Sequence, residues 1–572
     1  MKKVNKILAL SIVGMMGVTA FAGCGGSQKA ENEMEIHYYR AGMGIDWLEN
    51  LVDGFERTHE GYKVTIEDAA QDVGTNMDAG ADIMTADLLI GSMASFLSNR
   101  QYLLPLDDWL NEPVYNSTVT LGEKLDDNLM RTMTYGDGEE KKTYALNWAN
   151  MPSGLFYNKS LFDSMGYEIP RTSKELVNLA QTIVDNENQD EIRINGSEIK
   201  DIYGQKVKMF PFIHFNKNGE YWAYVTRIWQ AQFDGIDGYY ATESGNYIDP
   251  VTGEVSEIDI NFAFTQGRYE SMKALEACVA PTGYTYSYSN TIDHTTAQTR
   301  FLNGEAAMMA NGGWMENEMK AHKIPYDFSI MKTPVLSAVG MKLNITEAQL
   351  AAVVDYVDSA DYLANVINDN STEYEARTVK AVKAMGESHK DIYGKAMTGD
   401  AIFAEVYEDR NLVFNNGCGL RLTVPNYSTR LEQTKEFLKY MYSDEGLKII
   451  AESTKLPAPA NLEDPSIIDR TGWSVLSNDV YNFLQGKTSL IHLYNVPFFT
   501  GNSLINGPGH IISWARQMTE VQPKKADDLW KDEYKQMKER WEDSLKLMNI
   551  SPIAKGTLTL QFYGTTVNPI VP

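Results

Sequence analysis

The sequence predicts an α/β chain of two lobes whose segments interleave. Short β-forming runs alternate with amphipathic helical stretches, helix starts with capping signals recur along the whole chain, and the two α/β halves alternate in sequence instead of following one another. The first strand is Met34 to Arg40, which concentrates β-formers and leads into a turn at Gly42 and Gly44. Asp46 with Glu49 three residues on reads as a capping box, opening a helix with Leu48, Leu51, Val52 and Phe55 at helical spacing. Val64 and Ile66 begin a second strand and Ala86 to Ile90 a third, the order of a parallel, helix-covered sheet. Thr172 with Glu175 and Thr429 with Glu432 mark two further helix starts. Residues 191 to 262 read as strands and turns, and 346 to 401 as an acidic helical insertion. Near the end, Trp530, Tyr534, Met537, Trp541, Leu545 and Met548 form one helical stripe, a packing pattern.

The N-terminus reads as an export segment. Lys2, Lys3 and Lys6 precede an apolar run from Ile7 to Phe21, which is short against a bilayer core of roughly 30 Å. Phe21-Ala22-Gly23-Cys24, followed by Gly25, Gly26 and Ser27, resembles the lipobox of bacterial lipoproteins. That resemblance implies cleavage after residue 23, a diacylated Cys24 and a tether over 24–33. An ordinary secretory signal with an incidental cysteine is the other reading.

Three cysteines in 572 residues imply no disulfide framework, and 43% hydrophobic residues suffice for large cores without staples. A formal net charge of −26 argues against nucleic acid, which demands a basic face. Aromatics make up 11% of the chain, with 32 Tyr and 10 Trp, and rings of this kind complement the apolar faces of sugars. For any one of them a core or surface role competes.

Ordered along the chain, several blocks resemble the extracellular solute-binding proteins of ATP-driven sugar importers, in the branch of maltose-binding protein. They are Phe55-Glu56 with His59 to Val64, Ala86-Asp87-Leu88 with Leu103 to Leu110, and Tyr144 to Asn147 followed by Gly154 to Phe162 (GLFYNKSLF). Phe301 to Met308 (FLNGEAAM) with Trp314 continues the series, and Thr423 to Pro425 with Phe437 to Met441, Ser443 to Gly446 and Pro457 to Pro459 completes it. Asn147 stands where the family often has proline, and Cys418 where it often has tryptophan. The resemblance implies a periplasmic-binding-protein-like fold of the class II type, with a hinge and crossing strands. One lobe is expected from 34–150 and 330–455, the other from 151–329 and 456–572. It further implies a carbohydrate ligand, permease subunits of an ABC transporter as partners, a membrane reached through the lipid anchor, a monomer, and neither enzymatic activity nor a cofactor.

Candidate ligand residues follow from position and chemistry. Trp314 follows Asn311-Gly312-Gly313, a loop that lets backbone approach while a ring stacks on a pyranose. Trp148 lies just past the expected crossing strand, and Tyr39, Arg40, Asp46 and Trp47 lie at the first strand-to-helix exit, where open α/β sheets gather ligands. Asp46 reads equally as a helix cap. Tyr157, Asn311 and Arg421 complete the set. A glycoside hydrolase would need a paired set of carboxylates, and no motif singles one out. A receptor for a peptide or an anionic solute is the other alternative, with Arg40, Arg300 and Arg421 available to it.

Overall fold

A computed structural model describes residues 32–491 and 514–542, apart from short stretches at 71, 81–82, 93–99, 131, 136–140, 201–203, 218–220, 247, 249–253, 256–259 and 360–376. The export segment with Cys24, residues 24–31 of the expected tether, and Leu545 and Met548 lie outside the described residues. Among the described residues no helix is long and apolar enough to cross a membrane.

The principal strands are β1 (Glu33–Tyr38), β2 (Lys63–Asp68), β3 (Leu88–Ser92), β4 (Leu146–Asn147), β5 (Pro152–Asn158), β6 (Phe210–Phe212), β7 (Ala306–Gly312), β8 (Phe328–Met331), β9 (Leu412–Asn415), β10 (Leu420–Thr423) and β11 (Thr488–Leu490). They form two sheets. The first has the order β2-β1-β3-β10-β4, with β1 parallel to β2 and β3, and β10 antiparallel to its neighbours. The second has the order β11-β9-β5-β7-β6, with β8 also on β5. The chain passes from the first sheet to the second between β4 and β5, returns between β9 and β10, and passes to the second again before β11.

The principal helices are α1 (Asp46–Thr58), α2 (Ser173–Asn188), α3 (Ala223–Ser244), α4 (Gln266–Val279), α5 (His294–Leu302), α6 (Glu347–Asp358), α7 (Gly399–Arg410), α8 (Leu431–Met441), α9 (Asp444–Thr454), α10 (Val475–Phe483) and α11 (Ala526–Glu539). Helix α1 buries Leu48, Leu51 and Phe55 completely, each worth about 1.5–3 kcal/mol in area removed from water. Its N-cap is Ile45, so Asp46 and Glu49 lie inside the first turn, where their charge suits the helix dipole, and form no capping box. Thr172 does cap α2, accepting the Glu175 N–H at 3.2 Å. The Thr429–Glu432 box does not form, because α8 starts at Leu431 behind an uncapped Arg430.

Residues 330–415, expected with the first lobe, instead supply β9 and the end of β8 to the second sheet. The helical insertion goes with them: Leu350, Val353, Val379, Val382 and Phe403 share one core with Leu155 and Phe212. Leu456, Leu476 and Val480 join a core that runs between the sheets, holding Met34 and Ile36 of the first together with Ile330, Phe414 and Leu490 of the second. Helical periodicity marks an apolar face without saying which sheet will cover it.

Helix α3 is buried on nearly every side and is kinked at Gly235, whose φ of 77° and ψ of 163° leave the helical region. Its polar side chains must therefore find partners inside. Gln232 donates to the Asp409 carbonyl at 3.0 Å and accepts from the Leu336 N–H at 2.8 Å. Asp234 accepts from the Thr265 hydroxyl at 2.5 Å and the Gly267 N–H at 2.8 Å. Burial nevertheless pushes its carboxyl up to about 6, the hydrogen bonds opposing. A folded-state pKa above the unfolded value stabilises fully below the unfolded pKa and is lost as pH rises through the folded one. Between pH 4 and pH 7 the wild type should thus lose about 2 kcal/mol relative to Asp234→Asn. Urea unfolding of both proteins across that range checks it, and parallel curves would count against it.

Candidate functional site

Two chain crossings form the floor of the site. Asn415, at the end of β9, accepts N–H bonds from Met151 at 2.9 Å and Gly417 at 3.0 Å, and donates to the Asn150 side-chain oxygen at 2.9 Å. Asn150 in turn donates to the Ala458 carbonyl at 2.5 Å. Asn147 donates to the Pro459 carbonyl at 3.3 Å, while its own carbonyl accepts from the buried Tyr442 hydroxyl at 2.7 Å. Both crossings are thus pinned to each other and to the 458–459 segment by amides. Gly417 passes so close to the other crossing that a Cβ there would overlap the Ala149 carbonyl oxygen.

An aromatic wall rises on the second-sheet side. Tyr221 stacks on Tyr224 at 5.1 Å between centroids, Tyr224 stacks on Phe414 at 5.3 Å, and the Arg227 guanidinium lies 5.5 Å over Phe414. Trp314 meets this wall edge-on, 5.7 Å from Tyr221 and 6.2 Å from Tyr224. Its ring folds back over Gly312, where no Cβ would fit, and it leans on Gly42 of the first lobe. Asn416 donates to the Tyr224 hydroxyl at 3.2 Å, joining wall to floor. Burial, then the nearby Glu318 carboxylate and Tyr39, push the Tyr221 hydroxyl well above the ordinary phenol range. Glu318 is itself held by Gln298 at 2.7 Å and His294 at 3.3 Å.

The expected ligand residues divide by place. Trp314 meets Tyr221 at the wall, whereas Tyr39 packs against the small cluster of Val73, Met77 and Leu89. Trp47 and Trp148 are fully buried and stacked on each other at 4.7 Å and 11°, both edge-on to Tyr38. Trp47 donates to the Tyr38 hydroxyl at 2.9 Å, which donates to the Gly44 carbonyl at 2.7 Å, so this trio shapes the β1 exit loop. Trp148, a candidate ligand residue by its place just past the crossing strand, is packed in the core. Asn311 is buried and accepts the Gly312 N–H at 2.8 Å, which sets the loop that carries Trp314. Arg421 is buried on β10 beside Asn147. Arg40 is exposed and bound twice by Asp68, at 2.6 and 2.9 Å. Tyr157 sits at the far end of β5 from the crossing, packed on Phe162 at 4.7 Å.

Asp46 marks a second feature, a groove of about 450 Å³ beside the wall. Polar contacts between the lobes rim it: Asp46 pairs with Lys320 at 2.8 Å, Lys455 with Glu316 at 3.3 Å, and Asn317 donates to the Thr454 carbonyl at 2.5 Å. Sequence reasoning missed Tyr221, Tyr224 and Phe414. Tyr224 lies in the first turn of α3 and Tyr221 just before its N-cap, two rings close in sequence that are a usable signal; Phe414 reaches them only through β9. Among the described residues no three His, Cys, Asp or Glu side chains are grouped as metal ligands would be. Trp314, Tyr224 and Phe414 are themselves buried, so the wall is closed in this form; its rings and the neighbouring amides have the chemistry that suits a neutral polyhydroxylated ligand.

Residues 44–358 match the family model of bacterial extracellular solute-binding proteins. Over 188 residues the chain is 26% identical to a multiple sugar-binding protein of Streptococcus mutans serotype c, a match spanning 32% of this chain and 42% of the length of that relative. The fold is shared with the bacterial solute receptor AcbH, which prefers β-D-galactopyranose, at TM-score 0.53 and 14% identity over 89% of this chain and 98% of that one. RafE in complex with raffinose aligns at TM-score 0.50 and 13% identity over 88% and 99%.

Proposed function

The chain belongs to the bacterial extracellular solute-binding protein family, and from that premise we propose that it is a lipid-anchored receptor for a carbohydrate, an oligosaccharide in particular. The single observation that carries the sugar reading is the wall of Trp314, Tyr221, Tyr224 and Phe414 standing over two amide-pinned crossings. A sugar's hydroxyls are strongly hydrated, so binding must replace water contacts with side-chain and backbone partners, and ring faces must cover the C–H patches. Closure of the two lobes on the solute achieves both, and the closed form is what the permease of an ABC transporter would receive. The sugar-binding relative and the galactopyranose and raffinose receptors of the same fold support this reading. Cys24 would carry the lipid that holds the receptor at the outer face of the membrane, as a monomer.

A neutral ligand is favoured over an anionic one by the place of Arg40, an exposed cation already committed to Asp68. Trp314→Ala should weaken glycan binding at least tenfold, since a buried ring and its loop leave the wall, whereas Arg40→Ala should change it little. Calorimetric titration of both variants checks this. Equal affinity in wild type and Trp314→Ala would remove Trp314 from the site, and a large loss in Arg40→Ala would favour the anionic reading.

A further inference from the structure

A helix that ends in a left-handed residue commonly places glycine there, and α3 does so with Gly245 at φ 79° and ψ 12°. Helix α9 does not. It closes on Lys455, at φ 56° and ψ 30°, whose backbone N–H donates to the Ala451 carbonyl at 2.7 Å. Among the described residues, the other non-glycine positions with positive φ are Asn76, Asn116, Asp190, Asn195 and Asn344, short side chains that tolerate this region, whereas a lysine in it is strained. Such strain persists where the surroundings over-determine the residue. For Lys455 those surroundings lie across the groove beside Trp314, which it lines together with Glu316 and Asn317.

Helix α9 is tied to α1 by Asn50, which donates to the Ser453 hydroxyl at 3.1 Å. From that base three successive residues grip the loop that carries Trp314. The Thr454 carbonyl accepts from the Asn317 side chain at 2.5 Å, and the Lys455 ammonium pairs with Glu316 at 3.3 Å. Leu456 lies so close to Gly313 that a Cβ there would come within 2.9 Å of its Cδ2. Residues 313, 316 and 317 bracket Trp314, so the loop is held on both sides of its ring. Glu316 is fixed from a second direction, since its other carboxylate oxygen accepts from the Ser474 and Ser477 hydroxyls, each at 2.6 Å. Ser474 is the N-cap of α10, an end that favours a negative charge. Glycine at 455 would relax the turn and lose the ammonium; the ion pair to Glu316 is what the strained lysine adds.

We propose that Lys455 is a positioning residue for Trp314, acting through Glu316 to clamp the loop that carries the ring. That the ring then meets a sugar rests on the function proposed above; the clamp itself does not. The test is hydrogen–deuterium exchange of the full mature chain without sugar, read over residues 312–319. Amides of that stretch bond to the Asn311 side chain and to the Pro152, Trp314 and Met315 carbonyls. Lys455→Gly and Glu316→Gln are each expected to speed exchange there by about three- to fivefold while α6 keeps its protection, and Lys455→Arg to match wild type. The thermal midpoint of Lys455→Gly should hold or rise, because glycine fits the left-handed turn; a lysine serving stability alone would lower it when removed. Unchanged exchange over 312–319 in Lys455→Gly or in Glu316→Gln, or acceleration that extends to α6 with a lower midpoint, would overturn the proposal. Because no sugar is present, silence of the wild type toward every glycan would remove the sugar reading and leave this test standing.

Discussion

Glu533→Gln is expected to lower the unfolding free energy by about 3–5 kcal/mol, the usual result of removing one partner from a fully buried ion pair. Glu533 and Arg268 are both buried, with the guanidinium 2.6 Å from the carboxylate. The other Glu533 oxygen accepts from the Trp514 ring N–H at 2.6 Å, and Arg268 lies 5.1 Å over the Trp514 ring and 5.5 Å over Trp530. This cluster joins α11 and the short helix Trp514–Met518 to α4, so its loss should release the C-terminal helices first. Burial raises the Glu533 carboxyl despite Arg268, showing that desolvation is the larger effect. Glutamine keeps the shape and removes the charge, leaving the guanidinium short of its carboxylate. Urea unfolding measures the difference. A cost below about 1 kcal/mol would show that water or a second acceptor serves Arg268 equally well. The double variant Arg268→Met with Glu533→Leu should recover most of the loss, since apolar replacement of a whole buried pair is often neutral.

Gly417→Ala is the second large expectation. Here the obstacle is backbone against backbone, for the new Cβ would overlap the Ala149 carbonyl oxygen and no rotamer change relieves that. The two crossings would have to part, breaking the bond Asn415 accepts from Met151 and the one it donates to Asn150. Overpacking of this kind costs typically about 1–3 kcal/mol and more where nothing can yield. Because the strain falls on the crossings, glycan affinity should drop together with stability. A stable variant with unchanged affinity would show that the crossings tolerate separation and do not set the cleft.

Much of the architecture was legible because it is local. The strand at Met34, the apolar stripe of α1 and the Thr172 cap each follow from residues a few positions apart. Asn158, in the GLFYNKSLF block, caps the helix that follows β5, accepting the Leu161 N–H at 2.9 Å. What could not be read is set by distant pairing. The sheet that receives β9 depends on β5, far upstream, and so the lobe of residues 330–415 was misplaced. Trp47 and Trp148 each look like open ring faces until the fold stacks them together. Helix α3 misleads in another way, since Gln232 and Asp234 resemble surface residues and are buried with partners from α4 and α7 or the loops around them. At the site, the Asn311-Gly312-Gly313-Trp314 loop was readable, because the glycines let the ring fold back, whereas Phe414 was not.

The measurement that bears most directly on the account is calorimetric titration of the mature wild-type chain with neutral mono- and oligosaccharides, galactosides and raffinose among them, while the sugar is followed for cleavage. A saturable, one-to-one binding event with at least one glycan, and recovery of that glycan intact, is expected of a sugar receptor. Silence from every sugar together with binding of peptides or anionic solutes, or cleavage of the bound glycan, would contradict it.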